Sequence, residues 1–291
     1  MSDVQEKLNG VLAGYRLLNI GETHPVVRTV RAIASNSKPN PKRLFVAEGY
    51  WLAKLALDNR LRVESLLIAP ECVYTNECAN LAAEMLPVAE NAYTVSKKVF
   101  SRIAEKDKPD GILAICYMPE YRLEDLTFDD KAVVLVLDGI EIPGNMGTLV
   151  RVADGAGADA VFIVNRKARL THPKFIHSTM GAAFHVPIVE FETPDACFDY
   201  LESKKFTVYL ADSRAEKMYY ELPLGKRVAF VMGSERYGIS RTWYDKAVDY
   251  VAIPMLGQCD SLNVGVAGTV LLYEACVKNK LGGKRQPHVE R

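Results

Sequence analysis

From residue 132 onward the chain repeats one pattern: a short apolar run, a turn of glycine and polar residues, then a stretch of helical periodicity. AVVLVLD, AVFIV, VPIVEF, FTVYLAD, VAFVMG and YVAIPM read as strands. Their successive apolar residues fit strands buried on both faces better than a sheet with one wet side. Such strands need cover above and below, which the intervening helical segments supply. The expected fold class is α/β, with a mostly parallel sheet over 131–279. A smaller α/β module precedes it over 1–120, with helices at 1 to about 20 and at 24–35 and then alternating strands and helices. The polar stretch PEYRLEDLTFDDK, at about 119–131, reads as the linker, and the basic tail 280–291 as disordered.

Lys plus Arg and Asp plus Glu balance at 36 each, so no overall field points to a polyanionic partner. Local clusters still bind phosphate at short range. SNSKPNPKR offers Lys38, Lys42 and Arg43, either as a solvated loop or as an RNA contact. The six cysteines are scattered without a C-x-x-C pair, which points away from a zinc site or disulfide framework and toward a reducing compartment. The N-terminus lacks a signal pattern and no apolar run reaches membrane-spanning length, so a cytoplasmic protein without a membrane span is expected.

Three strand ends carry the polar chemistry. After VVLVLD, the stretch GIEIPGNMGTLVR turns into a helix for which Asn145 reads as the N-cap, with Arg151 sharing a face with Gly147 and Thr148. The G-x-G-x-x-G fingerprint is absent, which argues against dinucleotide binding. VAFVMGSERYGIS sets Glu235 on a turn between Gly233 and Gly238. VAIPMLGQCDSLNVGVAGTV ends a strand near Pro254, leaves a loop with available amides, and opens a buried helix at Ser261 and Asn263. In open α/β folds, ligands bind at such carboxyl edges.

In that order, N-x-G-x-x-x-R (Asn145, Gly147, Arg151), G-x-E-x-x-G-x-S (Gly233, Glu235, Gly238, Ser240) and I-P-M with S-L-N (Ile253, Pro254, Met255, Ser261, Leu262, Asn263) resemble the three motifs of the SpoU (TrmH-like) RNA 2′-O-ribose methyltransferases of the SPOUT class. The resemblance implies a catalytic domain with a trefoil knot, preceded by a ribosomal-protein-like RNA-binding domain. It implies S-adenosylmethionine held by Gly233, Ile253 and Leu262, no metal, and sites at a homodimer interface. Two roles are open for Arg151: a base, which requires surroundings that make guanidinium give up its proton, or a cation that binds phosphate and stabilises the developing alkoxide. Glu235 and Asn145 are expected to orient it, and Ser261 and Asn263 to position the hydroxyl or the cofactor. His177 stands where relatives often carry arginine, and is a weaker RNA contact near neutral pH; Gly265 stands where they often carry serine. The expected substrate is 23S ribosomal RNA; the alternatives are tRNA, or a non-catalytic ribosome-assembly factor.

Overall fold

The computed structural model describes residues 3–223, 225–246 and 248–281. The basic tail lies outside them from 282 onward. The chain divides into two units, Met1–Pro119 with Leu170–Ile176, and Glu120–Arg169 with His177–Arg291.

In the first unit the elements run α1 (Asp3–Ala13), β1 (Leu18–Asn19), α2 (Pro25–Ala34), β2 (Leu44–Glu48), α3 (Gly49–Asp58), β3 (Val63–Ile68), α4 (Asn76–Met85), β4 (Ala92–Thr94), α5 (Lys97–Ser101) and β5 (Ile112–Tyr117). The first helix stops at Ala13 rather than near 20, because Leu18 and Asn19 extend to pair with Tyr93 and Thr94 of β4. Side chains cap three later helices, with His24, Thr75 and Ser96 accepting from amides in the first turns of α2, α4 and α5. The sheet order is β1-β4-β3-β5-β2, and β5 runs antiparallel to both β3 and β2. Val27, Val30 and Ile33 recur at helical spacing on α2 and pack with Leu67, Phe100, Leu113 and Ile115 in the core.

In the second unit follow β6 (Val133–Asp138), α6 (Pro143–Ala156), β7 (Ala160–Val164), α7 (Pro173–Thr179, whose first residues count with the other unit), β8 (Ile188–Glu190), α8 (Pro194–Ser203), β9 (Thr207–Ala211), β10 (Val228–Gly233), α9 (Arg241–Tyr244), β11 (Asp249–Val251) and α10 (Val264–Cys276). The sheet order is β11-β9-β10-β6-β7-β8, and every pairing is parallel. Every residue of β6 and of β7 is buried, as their unbroken apolar runs require. After β8 the chain crosses to the other side of β6, so β6 and β10 flank the point where strand order reverses. Their last residues, Asp138 and Gly233, lie in register there.

Four local expectations are corrected. Asn145 is not the N-cap of α6. The helix begins at Pro143 with Ile142 in the cap position, because proline has no amide to leave unsatisfied and fits the first turn. The strand in YVAIPM ends at Val251, and Ile253 to Met255 are irregular. α10 starts after Asn263, so Ser261 and Leu262 belong to the loop. Nor is α10 covered all round, since Val266 and Tyr273 are about half exposed.

Candidate active site

Two glycines shape the turn after β10, for different reasons. A Cβ on Gly233 would lie 2.2 Å from the carbonyl carbon of Gly238 and the amide nitrogen of Ile239, so the returning chain leaves room only for hydrogen. Gly238 adopts φ of +70°, a left-handed conformation that glycine enters without steric cost. Between them Ser234 and Gly238 exchange two backbone hydrogen bonds, and the Ser234 hydroxyl accepts from the amide of Tyr237. The closed turn lifts the carboxylate of Glu235 to its exposed tip.

There Glu235 meets Asn145. The asparagine side chain, freed from capping, donates through Nδ2 to Oε1 of Glu235 at 2.5 Å. Below this link lies the buried carboxylate of Asp138, which accepts from the amide of Ser240 at 2.6 Å and from Nδ2 of Asn165 at 2.7 Å. One carboxylate thus fastens the ends of β6 and β7 to the turn after β10.

The third loop closes a cleft of about 920 Å³ whose walls include Gly233, Ile253 and Leu262. Asn145, Glu235, Ser261 and Asn263 line the same cleft. Oδ1 of Asn263 caps α10 through the amide of Gly265 at 2.9 Å, while the Ser261 hydroxyl bonds to Asp260. Arg151 is not in the lining. It is exposed on α6 and makes no hydrogen bond or ion pair among the described residues. Asn145 and Arg151 are six residues apart on one helix, which turns their side chains roughly 120° from each other. Within one chain the Asn145–Glu235 pair therefore does not orient Arg151. His177 is exposed on α7 outside the lining, and Lys38, Lys42 and Arg43 belong to the first unit.

The strand patterns omitted another part of the wall. Beyond β9, Asp212 accepts from Nε of Arg214 at 3.0 Å, from Nη2 at 2.8 Å, and from the hydroxyl of Tyr244 at 2.8 Å. Hydrogen bonds from Arg214, reinforced by Tyr244, hold the Asp212 carboxyl well below the usual carboxylate range. Burial, together with the bond to Asp212, pushes the Tyr244 hydroxyl up to about 12. The signal was the position of Asp212 and Arg214 at the carboxyl end of FTVYLAD, the same edge that singled out Asn145 and Glu235.

Residues 132–273 match the model of the SpoU rRNA methylase family, and residues 24–114 match that of an MRM3-like substrate-binding domain. The 23S rRNA (guanosine(2553)-2′-O)-methyltransferase RlmP of Bacillus subtilis is 31% identical over 229 residues, 79% of this chain and 87% of that protein. The chain belongs to the SpoU family of RNA methylases. A relative from Staphylococcus saprophyticus, a putative TrmH family tRNA/rRNA methyltransferase, is 29% identical over 65% of this chain and 82% of its own length. Among solved structures, an AdoMet-bound rRNA methyltransferase from Sinorhizobium meliloti superposes with a TM-score of 0.79 at 26% identity, covering 89% of this chain and 97% of that one. An RNA 2′-O ribose methyltransferase gives 0.74 at 29%, covering 91% and 100%. Among the described residues no group of three His, Cys, Asp or Glu is placed to hold a metal ion, and no helix is long and apolar enough to cross a membrane.

Proposed function

We propose that this chain methylates a ribose 2′-hydroxyl of 23S ribosomal RNA, with S-adenosylmethionine as donor, as a cytoplasmic homodimer. The Asn145–Glu235 hydrogen bond carries the reading, because it joins the first turn of α6 to the sequence-distant turn after β10 over a cleft that the third loop completes. The 23S target is supported by the named activity of the Bacillus subtilis relative and by the match of the N-terminal module to a substrate-binding domain.

The cleft suits the donor. Its volume fits a ligand of nucleoside size, and Ile253, Leu262, Ala267 and Leu271 offer an apolar wall for an adenine. The glycine turn at 233–238 lines the cleft, and its tight closure depends on Gly233 having no side chain. When bound, the cofactor supplies a methyl group on a positively charged sulfur, an electrophile for the ribose oxygen. Glu235 and Asn145 hold the mouth of the cleft in shape, and Ser261 and the amide of Asn263 present polar groups to what enters it. The oxygen gains negative character as its proton leaves, and a fixed cation lowers that barrier. We assign that role to Arg151 of the partner subunit. Guanidinium keeps its charge in proteins, and Arg151 stands exposed on α6, one turn before Gly155, which packs against the hydroxyl of Tyr273 of α10.

Tritium transfer from labelled S-adenosylmethionine tests the reading. Wild-type protein labels 23S rRNA, and Arg151→Ala lowers the rate about a hundredfold. An undiminished rate in that variant removes Arg151 from the mechanism, and label found only in tRNA reassigns the substrate.

A further inference from the structure

The first unit concentrates positive charge that its own stability does not require. Glu22, in the turn before α2, accepts a hydrogen bond from Nη1 of Arg102, while Nη2 of Arg31 stands 3.7 Å from its other oxygen. The bond from Arg102, with the charges of Arg102, Arg31 and Lys98, holds the Glu22 carboxyl below its ordinary range. Two arginines, from α2 and from the residue after α5, thus meet one carboxylate, and the charge of Lys98 on α5 acts on it as well. The side chains of Arg31 and Arg102 remain 41% and 51% exposed. An exposed ion pair stabilises a fold by about 0–1 kcal/mol, which one arginine supplies, and the remaining cations repel each other. The chain as a whole is balanced at 36 charges of each sign, so the cluster is not a by-product of basic composition. The segments that carry these cations also bring two rings together: His24, at the start of α2, lies 5.1 Å from Tyr93 of β4, the strand that leads into α5. Arginine forks suit phosphate oxygens, and partly exposed rings suit unpaired bases.

We propose that the face built from Arg31, Lys98 and Arg102 around Glu22, together with the His24–Tyr93 ring pair, grips the RNA substrate. This rests on the reading of RNA as the substrate. It assigns the grip to a surface that sequence patterning passed over in favour of the loop carrying Lys38, Lys42 and Arg43.

The test uses the full chain, a 23S rRNA transcript, and filter binding over a series of salt concentrations. Arg31→Gln/Arg102→Gln weakens binding tenfold or more, on the order expected for two lost phosphate contacts, and makes the slope of log affinity against log salt shallower by roughly 1.4 to 1.8. Glu22→Gln removes the internal competitor and tightens binding about threefold. Calorimetric affinity for S-adenosylmethionine stays at the wild-type value in both variants and their urea unfolding transitions match the wild type, which shows that the second and the first unit both remain folded. Wild-type affinity and slope in the double variant overturn the proposal, as does weakening in Glu22→Gln as large as in the double variant. Displacement of the RNA by polyglutamate as readily as by unlabelled RNA assigns the face to an acidic protein and overturns it too. Methyl incorporation is read separately. A wild-type chain that binds RNA with the expected slope but transfers no methyl group ends the methyltransferase reading and leaves this face standing. If the wild type methylates and the double variant does so with unchanged KM, only the face falls.

Discussion

Gly233 illustrates how much of the site is decided by the space around one carbon. Its neighbours are backbone atoms of Gly238 and Ile239, which cannot swing aside as a side chain would. Gly233→Ala must therefore open the turn that carries Glu235, break the Asn145 link and reshape the cleft. We expect a loss of about 2 kcal/mol in stability and at least a tenfold loss in S-adenosylmethionine affinity, read by urea unfolding and calorimetry. Asp212 gives a pH signature instead. Its carboxyl titrates lower in the folded chain than in the unfolded one, so its contribution is present above the unfolded value near 4 and fades as pH falls through the folded value. Asp212→Asn should lower the melting temperature at pH 7 by a few degrees, a modest figure because Arg214 is 80% exposed, and the gap to wild type should narrow below about pH 4. A gap that widens in acid would contradict the assignment. Tyr244 acts at the other end, its contribution intact below pH 10 and lost as pH climbs toward 12. At this scale residue types were legible in the sequence and their partners were not. Asn145 occurs where an N-cap is statistically favoured, yet it bonds a carboxylate 90 residues away. No local rule carries that information.

Strands and helices were more legible, because apolar periodicity reports burial directly. The runs at β6, β7 and β10 are as buried as their composition implies. Element ends were less so, since Pro143 displaces the cap of α6 and β11 stops three residues before Pro254. The small residues of α10 have a concrete cause. A Cβ on Gly268 would lie 2.3 Å from Cδ2 of Leu149, and one on Gly265 would lie 3.1 Å from Cγ2 of Thr148, so α10 crosses α6 at close range. Gly265→Ser should cost about 1 kcal/mol, because its new Cβ meets Cγ2 of Thr148 and the capping Oδ1 of Asn263, both at 3.1 Å, and these side chains must give by a few tenths of an ångström. The helix is held at its far end by Asn279, fully buried in the π-helical turn Val277–Leu281. Its amide donates to the carbonyls of Lys131 and Lys226 and its oxygen accepts from the amide of Gly225. Those carbonyls precede β6 and β10, so one side chain pins the C-terminal helix to the start of both central strands. Asn279→Ala leaves three backbone groups without their partner and should cost about 2–3 kcal/mol in urea unfolding. A cost below 1 kcal/mol would mean that water replaces the amide.

At the scale of the whole molecule, the position of Arg151 asks for a second copy. It is exposed on α6, outside the cleft lining, and one turn from Gly155, whose absent Cβ would lie 3.1 Å from the hydroxyl of Tyr273. Tyr273, Val266 and Val277 are 45%, 50% and 40% exposed, which leaves an apolar stripe along α10. In the proposed homodimer, a self-complementary contact over that stripe on a two-fold axis would carry each Arg151 toward the other copy. Mixing two inactive variants tests this. Arg151→Ala keeps an intact cleft but lacks the cation; Gly233→Val keeps the cation but lacks the cleft. If the cation works across the interface, each mixed dimer owns one complete site, and an equimolar mixture exchanged to equilibrium recovers about a quarter of wild-type methyl transfer. If each chain uses its own Arg151, no dimer contains a complete site, and the mixture stays as inactive as its parents at every ratio.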